Sequence, residues 1–449
     1  VLPDDVLAAI LGRLLARSLA ASRRVCRTWR DLVDERGLLL RVQRLLPRAV
    51  TGLFVNYFNH GAPHFFARPM TPAWPGSPGM IDGGPEFIVP GRPMSWYSVA
   101  DHCNGLILYR DDWDDELYVC SPATRRWVHL PRISSSAAVP GGGLSKRRAF
   151  LAFDPAASPH YHVLVEPLGP AHDDGAAMGD EWPPARWTWQ VFSSAAGRWR
   201  ERVFVRDGEA AGTAGGLVTV INSLPQRIAN DARWRYGVYW RGALYVHGRL
   251  SLSDGKYLII RSPIDGDECC NGVRSFIGRL EKGVYFASIN GRHLRVWILD
   301  DESSDDHHQT EYSWIHKHDR VLGTKIWLAV VEADDYLQIQ RDGPWILDDY
   351  YGSATGRRNK EELQEHSVGW DSDNDNIVGM LDDERSEVVF LGFHPYKEVV
   401  FLRADGGVAA VVVAYHSNST KVQYLGNLHE EAYYYYGWDK SFVYTPCLI

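Results

Sequence analysis

The sequence predicts a mainly β protein headed by a small all-α module, the body being a β-propeller of about six blades. Three observations carry this. The first 34 residues repeat apolar side chains at helical spacing. From about residue 50 the period becomes that of strands separated by turns, with no helix between them. Similar residues also return at similar places: residues 121–127 (SPATRRW) and 193–199 (SSAAGRW) both set a small turn just ahead of Arg-Trp. Strand sets returning every ~40–50 residues with aromatics and Gly turns mark a propeller. A pair of β-sandwich domains is the competing arrangement. The 17 Trp and 22 Tyr suit pleated, half-buried surfaces.

The helical module comes first. Leu7, Ile10, Leu11 and Leu14 fall on one helix face at i, i+3, i+4, i+7. Asp4 and Asp5 sit where carboxylates favour a helix N-terminus, and Pro3 suits a first turn. Ser18 can cap a second helix carrying Leu19 and Val25, and Cys26, Trp29 and Val33 continue an apolar face. Helices this short cannot bury so much Leu, Val and Trp by themselves, so the surplus needs the rest of the chain or a partner.

The body follows. Residues 105–109 and 117–120 read as paired strands around a polar turn, and residues 126–130 as a third strand ended by Pro131. Residues 149–165 and 187–204 each form a strand pair. Residues 237–263 turn at Asp254-Gly255, and residues 283–299 turn at Asn290-Gly291. Residues 388–402 and 408–426 supply four further short strands. The last strand, around residues 441–446, is expected to complete the blade begun by residues 51–58. Residues 132–148, 300–310 and 352–386 read as loops, where binding residues concentrate on a rigid scaffold. The domain reading is 1–45 for the helical module, 46–94 for a linker with a possible first strand, and 95–449 for the propeller.

The N-terminal segment resembles the F-box. The residues that carry the likeness are Leu2-Pro3, Asp5, Val6-Leu7, Ile10-Leu11, Arg13-Leu14, Ser18-Leu19 and Val25-Cys26-Arg27-Thr28-Trp29-Arg30. Two separate motifs stand at the family spacing. Val6 replaces a usual Leu, Leu15 stands where a Pro often separates two helices, and Arg27 replaces a common Lys. The body resembles the plant F-box-associated β-propeller type domain through Asp101-His102-Cys103-Asn104-Gly105-Leu106, Ser121-Pro122-Ala123-Thr124 with Trp127, Gly237-Val238-Tyr239-Trp240 and Phe442-Val443-Tyr444-Thr445-Pro446. Residues 264–280 and 320–385 fit that pattern poorly.

The resemblance implies a non-catalytic, substrate-recognition adaptor of a Skp–cullin–F-box ubiquitin ligase. The F-box would bind a Skp-type linker, and through it a cullin. A client protein would sit on the propeller. The partner-binding residues it implies are Leu2, Pro3, Leu7, Ile10, Leu11, Leu14, Leu19, Val25, Cys26 and Trp29. A cytoplasmic or nuclear location is expected, with no cofactor. The alternatives are a propeller hydrolase or oxidase, and a carbohydrate- or peptide-binding propeller.

Charge agrees with a protein partner for the head. Residues 1–48 hold ten Arg against five acidic residues, a net of +5. The whole chain is −8, so the remainder carries −13. A basic head suits docking on an acidic protein surface, and an acidic body argues against nucleic acid. No apolar run approaches the ~20 residues of a bilayer span, and Asp4, Asp5 and Arg13 interrupt any signal-like start. The chain starts at Val1, which suggests that residues precede it.

Chemistry-bearing motifs are sparse. Six scattered cysteines, two of them adjacent, form neither a disulfide framework nor a CxxC zinc pair. Asp305, Asp306, His307 and His308 read as a solvated loop rather than a metal site, because adjacent residues rarely face one ion. His316 and His318 share a strand face, and the carboxylates of 111–116 and 371–387 read as solubilising. Asn418-Ser419-Thr420 fits a glycosylation acceptor by sequence alone. There is no Gly-x-Ser-x-Gly elbow, Walker loop or GxGxxG motif.

Overall fold

A computed structural model describes residues 3–14, 19, 22, 25–36, 38, 50–57, 61–67, 88, 97–111, 113–133, 147–167, 178–216, 236–246, 248–264, 273–300, 312–322, 345–347, 387–405, 410–428 and 438–447. The described chain is mainly β.

Helix α1 spans Asp4–Leu11 and helix α2 spans Arg27–Glu35. Pro3 stands at the N-cap of α1, the Leu7 amide reaches the Pro3 carbonyl at 3.0 Å, and Asp4 and Asp5 occupy the positive end of the helix dipole. Gly12 follows the last turn. Ser18, expected to cap a second helix, lies outside the described residues, as do Leu2 and Leu15.

Among the described residues, the strands form six antiparallel units of four. Unit I combines Gly52–Tyr57, His64–Ala67, Ile346–Leu347 and Trp438–Tyr444. Unit II is Tyr97–Cys103, Leu106–Asp111, Glu116–Ser121 and Arg126–His129. Unit III is Ala149–Phe153, Tyr161–Val165, Arg186–Ser193 and Arg198–Arg206, and unit IV is Val238–Trp240, Ala243–Tyr245, Gly248–Ser251 and Lys256–Ile259. Units III and IV share one eight-stranded sheet, joined by a short parallel contact of Val205 with Lys256 and Arg206 with Tyr257. Unit V is Arg274–Leu280, Gly283–Asn290, His293–Asp300 and Ser313–Val321. Unit VI is Glu387–Phe393, Val399–Asp405, Ala410–His416 and Lys421–Asn427. A two-stranded ribbon, Glu181–Trp182 with Gly212–Thr213, stands apart.

In units II, III and V the last strand is the most exposed of the four. Ala149–Phe153 is buried throughout, while Arg126–His129 is exposed throughout. The exposed strands carry Arg126, Arg198, Arg200 and Arg202, charges that discourage an open sheet edge from pairing with another chain. The two Arg-Trp echoes mark the same place twice: each turn leads from the third strand into this outer one, so that Trp127 faces Cys120 and Trp199 faces Phe192.

Apolar layers link the units in sequence. Phe54 and Tyr444 of unit I pack with Tyr109 and Tyr118 of unit II. Leu108 and Val119 meet Leu151 and Val163, and Trp189 and Phe204 meet Leu244 and Leu250. Ala243 and Tyr245 meet Val284 and Leu299, and Phe276 and Ala287 meet Phe390 and Val413. Phe401 and Val412 of unit VI then pack on Leu53, Phe66 and Val443 of unit I. Unit I itself joins the two ends of the body, since Gly52–Tyr57 pairs antiparallel with Trp438–Tyr444 from Gly52 opposite Tyr444 to Tyr57 opposite Trp438.

Residues 274–280, expected to fit poorly, form the first strand of unit V. Gly278 there fits because Phe393 lies against it; a Cβ at that position would stand 2.2 Å from the Phe393 ring.

Candidate functional site

Two places concentrate functional features: the helical module and the cavity bordered by the first strands of units II, IV, V and VI and the last strand of unit I.

In the module, helical spacing predicts four apolar residues on one helix face, but α1 ends at Leu11, so Leu14 lies beyond its last turn, and packing divides the four. Leu7 and Leu11 are buried with Leu19, Leu32, Val33 and Leu38, and Leu14 and Trp29 pack partly against that cluster. Ile10 stays 47% exposed, and its neighbour Val6 44%. Val25 is 63% exposed, and Cys26 and Pro3 are on the surface. The ten candidate residues thus separate. Leu7, Leu11 and Leu19 hold the helices together, whereas Ile10, Val25, Cys26 and Pro3 face outward, and Leu14 and Trp29 are half-buried. The tenth, Leu2, lies outside the described residues. Val6 is not among the ten, although it lies one helical turn from Ile10. Arg36 reaches back to Asp5 at 2.7 Å and ties the end of α2 to the start of α1.

The cavity, ≈ 100 Å³, is bordered by units I, II, IV, V and VI. Its architecture begins at the hairpin turn of unit II. Asn104 (φ 46°) and Gly105 (φ 86°) are both left-handed, the two-residue turn that matches strand twist. A Cβ on Gly105 would lie 2.3 Å from the Cys447 amide nitrogen. The turn reaches outward in two directions. Asn104 Nδ2 donates to the Phe153 carbonyl of unit III at 2.6 Å, and its Oδ1 accepts from Arg279 Nη2 of unit V at 2.7 Å. The Arg279 guanidinium also stands 5.7 Å from the centre of the Trp240 ring in unit IV. The SPAT turn is tied as well: the Ala123 amide donates to the Tyr444 hydroxyl at 3.3 Å.

Burial shifts the titratable groups here. The Asp101 carboxyl accepts the Leu151 amide at 2.7 Å, yet desolvation pushes it up to about 7. Desolvation, assisted by Arg279, holds His102 down to about 4. Burial pushes the Cys103 thiol up to about 12 and Cys120 well above its ordinary value, so neither is a ready nucleophile. Among the described residues, Cys26, Cys103 and Cys120 are free thiols, and no group of three or more His, Cys, Asp or Glu is placed to hold a metal. Among the described residues no helix is long and apolar enough to cross a membrane. Asp305, Asp306, His307, His308, Cys269, Cys270 and most of the three expected loops lie outside the described residues. His316 and His318 do not act as a pair: His316 lies 3.8 Å from Asp319, while buried His318 meets the Tyr415 hydroxyl at 3.0 Å.

Comparison with known proteins bears on the module first. Residues 1–42 match the F-box-like family. Over 329 residues the chain is 22% identical to an F-box protein of Arabidopsis thaliana, covering 67% of this chain and 68% of that protein. Among solved structures, a post-proline cleaving enzyme from Rickettsia typhi aligns with 84% of this chain and 43% of its own at 7% identity, with a TM-score of 0.27 that carries no argument. The chain therefore carries an F-box-like domain at its N-terminus, and its likeness to the Arabidopsis protein supports a plant F-box protein.

Proposed function

We propose that the chain is a non-catalytic, substrate-recognition adaptor of a Skp–cullin–F-box ubiquitin ligase. In this reading residues 1–45 dock a Skp-type linker and through it a cullin. The six four-stranded units are the blades of one β-propeller, fastened by Gly52–Tyr57 pairing with Trp438–Tyr444. A client protein binds the propeller, and the complex works in the cytoplasm or nucleus. Ubiquitin transfer belongs to other subunits, and this chain supplies proximity.

One observation carries the reading. The F-box-like helices bury their own core and still leave Val6 and Ile10 apolar on the surface, at 44% and 47% exposure. Apolar residues left side by side on so small a module suit a partner surface. The basic head, net +5 over residues 1–48, adds attraction toward an acidic linker.

The test compares neighbours on α1. Ile10→Asp puts a charge on the outer face and should leave the helices folded while weakening linker binding roughly a hundredfold, since an unpaired charge in an apolar interface costs several kcal/mol. Leu11→Asp puts the same charge in the core and should unfold the module. Unchanged linker affinity in a folded Ile10→Asp protein would overturn the assignment.

A further inference from the structure

The cavity among the first strands has a chemistry that linker docking does not use. Its walls are aromatic, from Tyr236, Tyr239, Phe276 and Phe442, and Arg279 brings a permanent cation to it. Of the five N–H donors on that guanidinium, one is engaged among the described residues, by Asn104 Oδ1 at 2.7 Å. The Trp240 face supports the group without neutralising it. Among the described residues no carboxylate pairs with Arg279. Among the described residues, neither Asp101 nor His102 on the wall forms an ion pair with it. Asp101 is buried, with its Oδ2 taken by the Leu151 amide, and His102 is held neutral beside the Phe442 ring. Asn104 cannot easily swing away, because its left-handed turn is locked between Phe153 and Cys447. The result is an oriented cation at an apolar opening, with no ion-pair partner among the described residues.

We propose that this cavity accepts one carboxylate, presented by an Asp or Glu side chain of a client peptide. The inference rests on the adaptor reading, which puts the client on the propeller. Size supports a side chain: the ≈ 100 Å³ holds several water-sized volumes of roughly 10–15 Å³ each, too little for a folded element. Charge supports a carboxylate over a phosphate, since one cation balances one negative charge and a phosphoryl group brings nearly two. Geometry supports it too, because the free N–H pairs of a guanidinium match two carboxylate oxygens.

The experiment uses the full chain, immobilised, and a library of random dodecapeptides displayed through their C-termini, so that any carboxylate selected is a side chain. Enriched sequences should share one Asp or Glu. A synthetic peptide of that sequence, with an amidated C-terminus, should lose at least tenfold in affinity for Arg279→Gln. It should lose as much for wild-type protein when its own acid is changed to the amide, a comparison that does not depend on how the variant folds. The two changes together should cost no more than either alone. Enrichment without a shared acidic position, no enrichment at all, or Arg279→Gln binding within twofold of wild type would overturn the carboxylate site. Binding of a Skp-type linker is scored on the same preparations. Its absence would overturn the adaptor reading whatever the peptides do, and its presence without acidic selection would overturn the carboxylate site alone.

Discussion

Asp101 and His102 are neighbours whose buried environments push in opposite directions. Desolvation raises Asp101 to about 7 and lowers His102 to about 4. Lys440 acts on Asp101, and Arg279 on His102. An acid whose folded pKa is raised contributes stability that is fully present below its unfolded value, near 3.8, and is lost as pH rises through about 7. A base whose folded pKa is depressed contributes stability that is present above 6.5 and lost as pH falls through about 4. The two windows overlap, so the slopes oppose each other between about pH 4 and 6.5. Asp101→Asn should remove one slope and expose the other. Its stability relative to wild type should rise between pH 5 and pH 8, by on the order of 1–3 kcal/mol. Denaturant titrations at the two pH values check this, and a difference independent of pH would refute it. Gly105 makes a simpler case. Alanine there meets both a φ of 86° and the Cys447 backbone, so Gly105→Ala should cost about 2 kcal/mol or more.

At the scale of elements, tryptophans fasten the outer strands to their neighbours. Trp199, on the outer strand of unit III, donates its indole N–H to the Pro131 carbonyl at 2.6 Å, just beyond the outer strand of unit II. Trp314 does the same one pair further on, from unit V to the Arg261 carbonyl beyond unit IV, at 2.8 Å. Each indole pins an exposed edge to the unit before it. Trp→Phe at either position should cost about 0.5–1.5 kcal/mol for the lost bond, somewhat more with the lost ring area, and the two costs should add because they share no partner. Calorimetry on the two single variants and the double variant tests it.

The same strands show what a sequence discloses. The Arg-Trp echo was legible because a turn followed by an outer strand is a local pattern. So were the hairpins at Asn290-Gly291 and Asp254-Gly255, where turn chemistry sits between alternating residues. Residues 274–280 were not legible, because Arg274, Gly278 and Arg279 break the apolar alternation for reasons that lie elsewhere in the chain: Phe393 against Gly278 and Asn104 against Arg279. In the module, the spacing identified Leu7, Ile10, Leu11 and Leu14 as one stripe. It could not say which edge of the stripe faces inward, since that depends on where α2 packs. Nor could spacing bring Asn104, Trp240 and Arg279 together, because the three come from different units.

For the whole molecule, the question is what makes six similar units one object. The last strand supplies an answer that can be tested. Trp438–Tyr444 pairs with Gly52–Tyr57, but its contacts reach well beyond unit I. Ser441 donates to the Leu391 carbonyl of unit VI at 2.5 Å, Phe442 packs on Tyr236 beside unit IV, and Tyr444 accepts the Ala123 amide of unit II at 3.3 Å. Just past the strand, the Cys447 carbonyl accepts from Ser121 at 3.4 Å. If the units form a closed ring, removing residues 438–449 opens it at a seam, and both banks of the seam should loosen together. Hydrogen exchange should then quicken in residues 52–57 and 121–124, far away in sequence, and around Leu391. Residues 198–206 of unit III, which touch none of the lost residues in the contacts above, should stay protected longest. Two sandwich domains predict otherwise: the loss would be felt in the domain that holds the last strand and would leave the other unchanged. Faster exchange confined to unit VI and the segment just before the cut, with residues 52–57 and 121–124 as protected as in the intact chain, would rule out the ring.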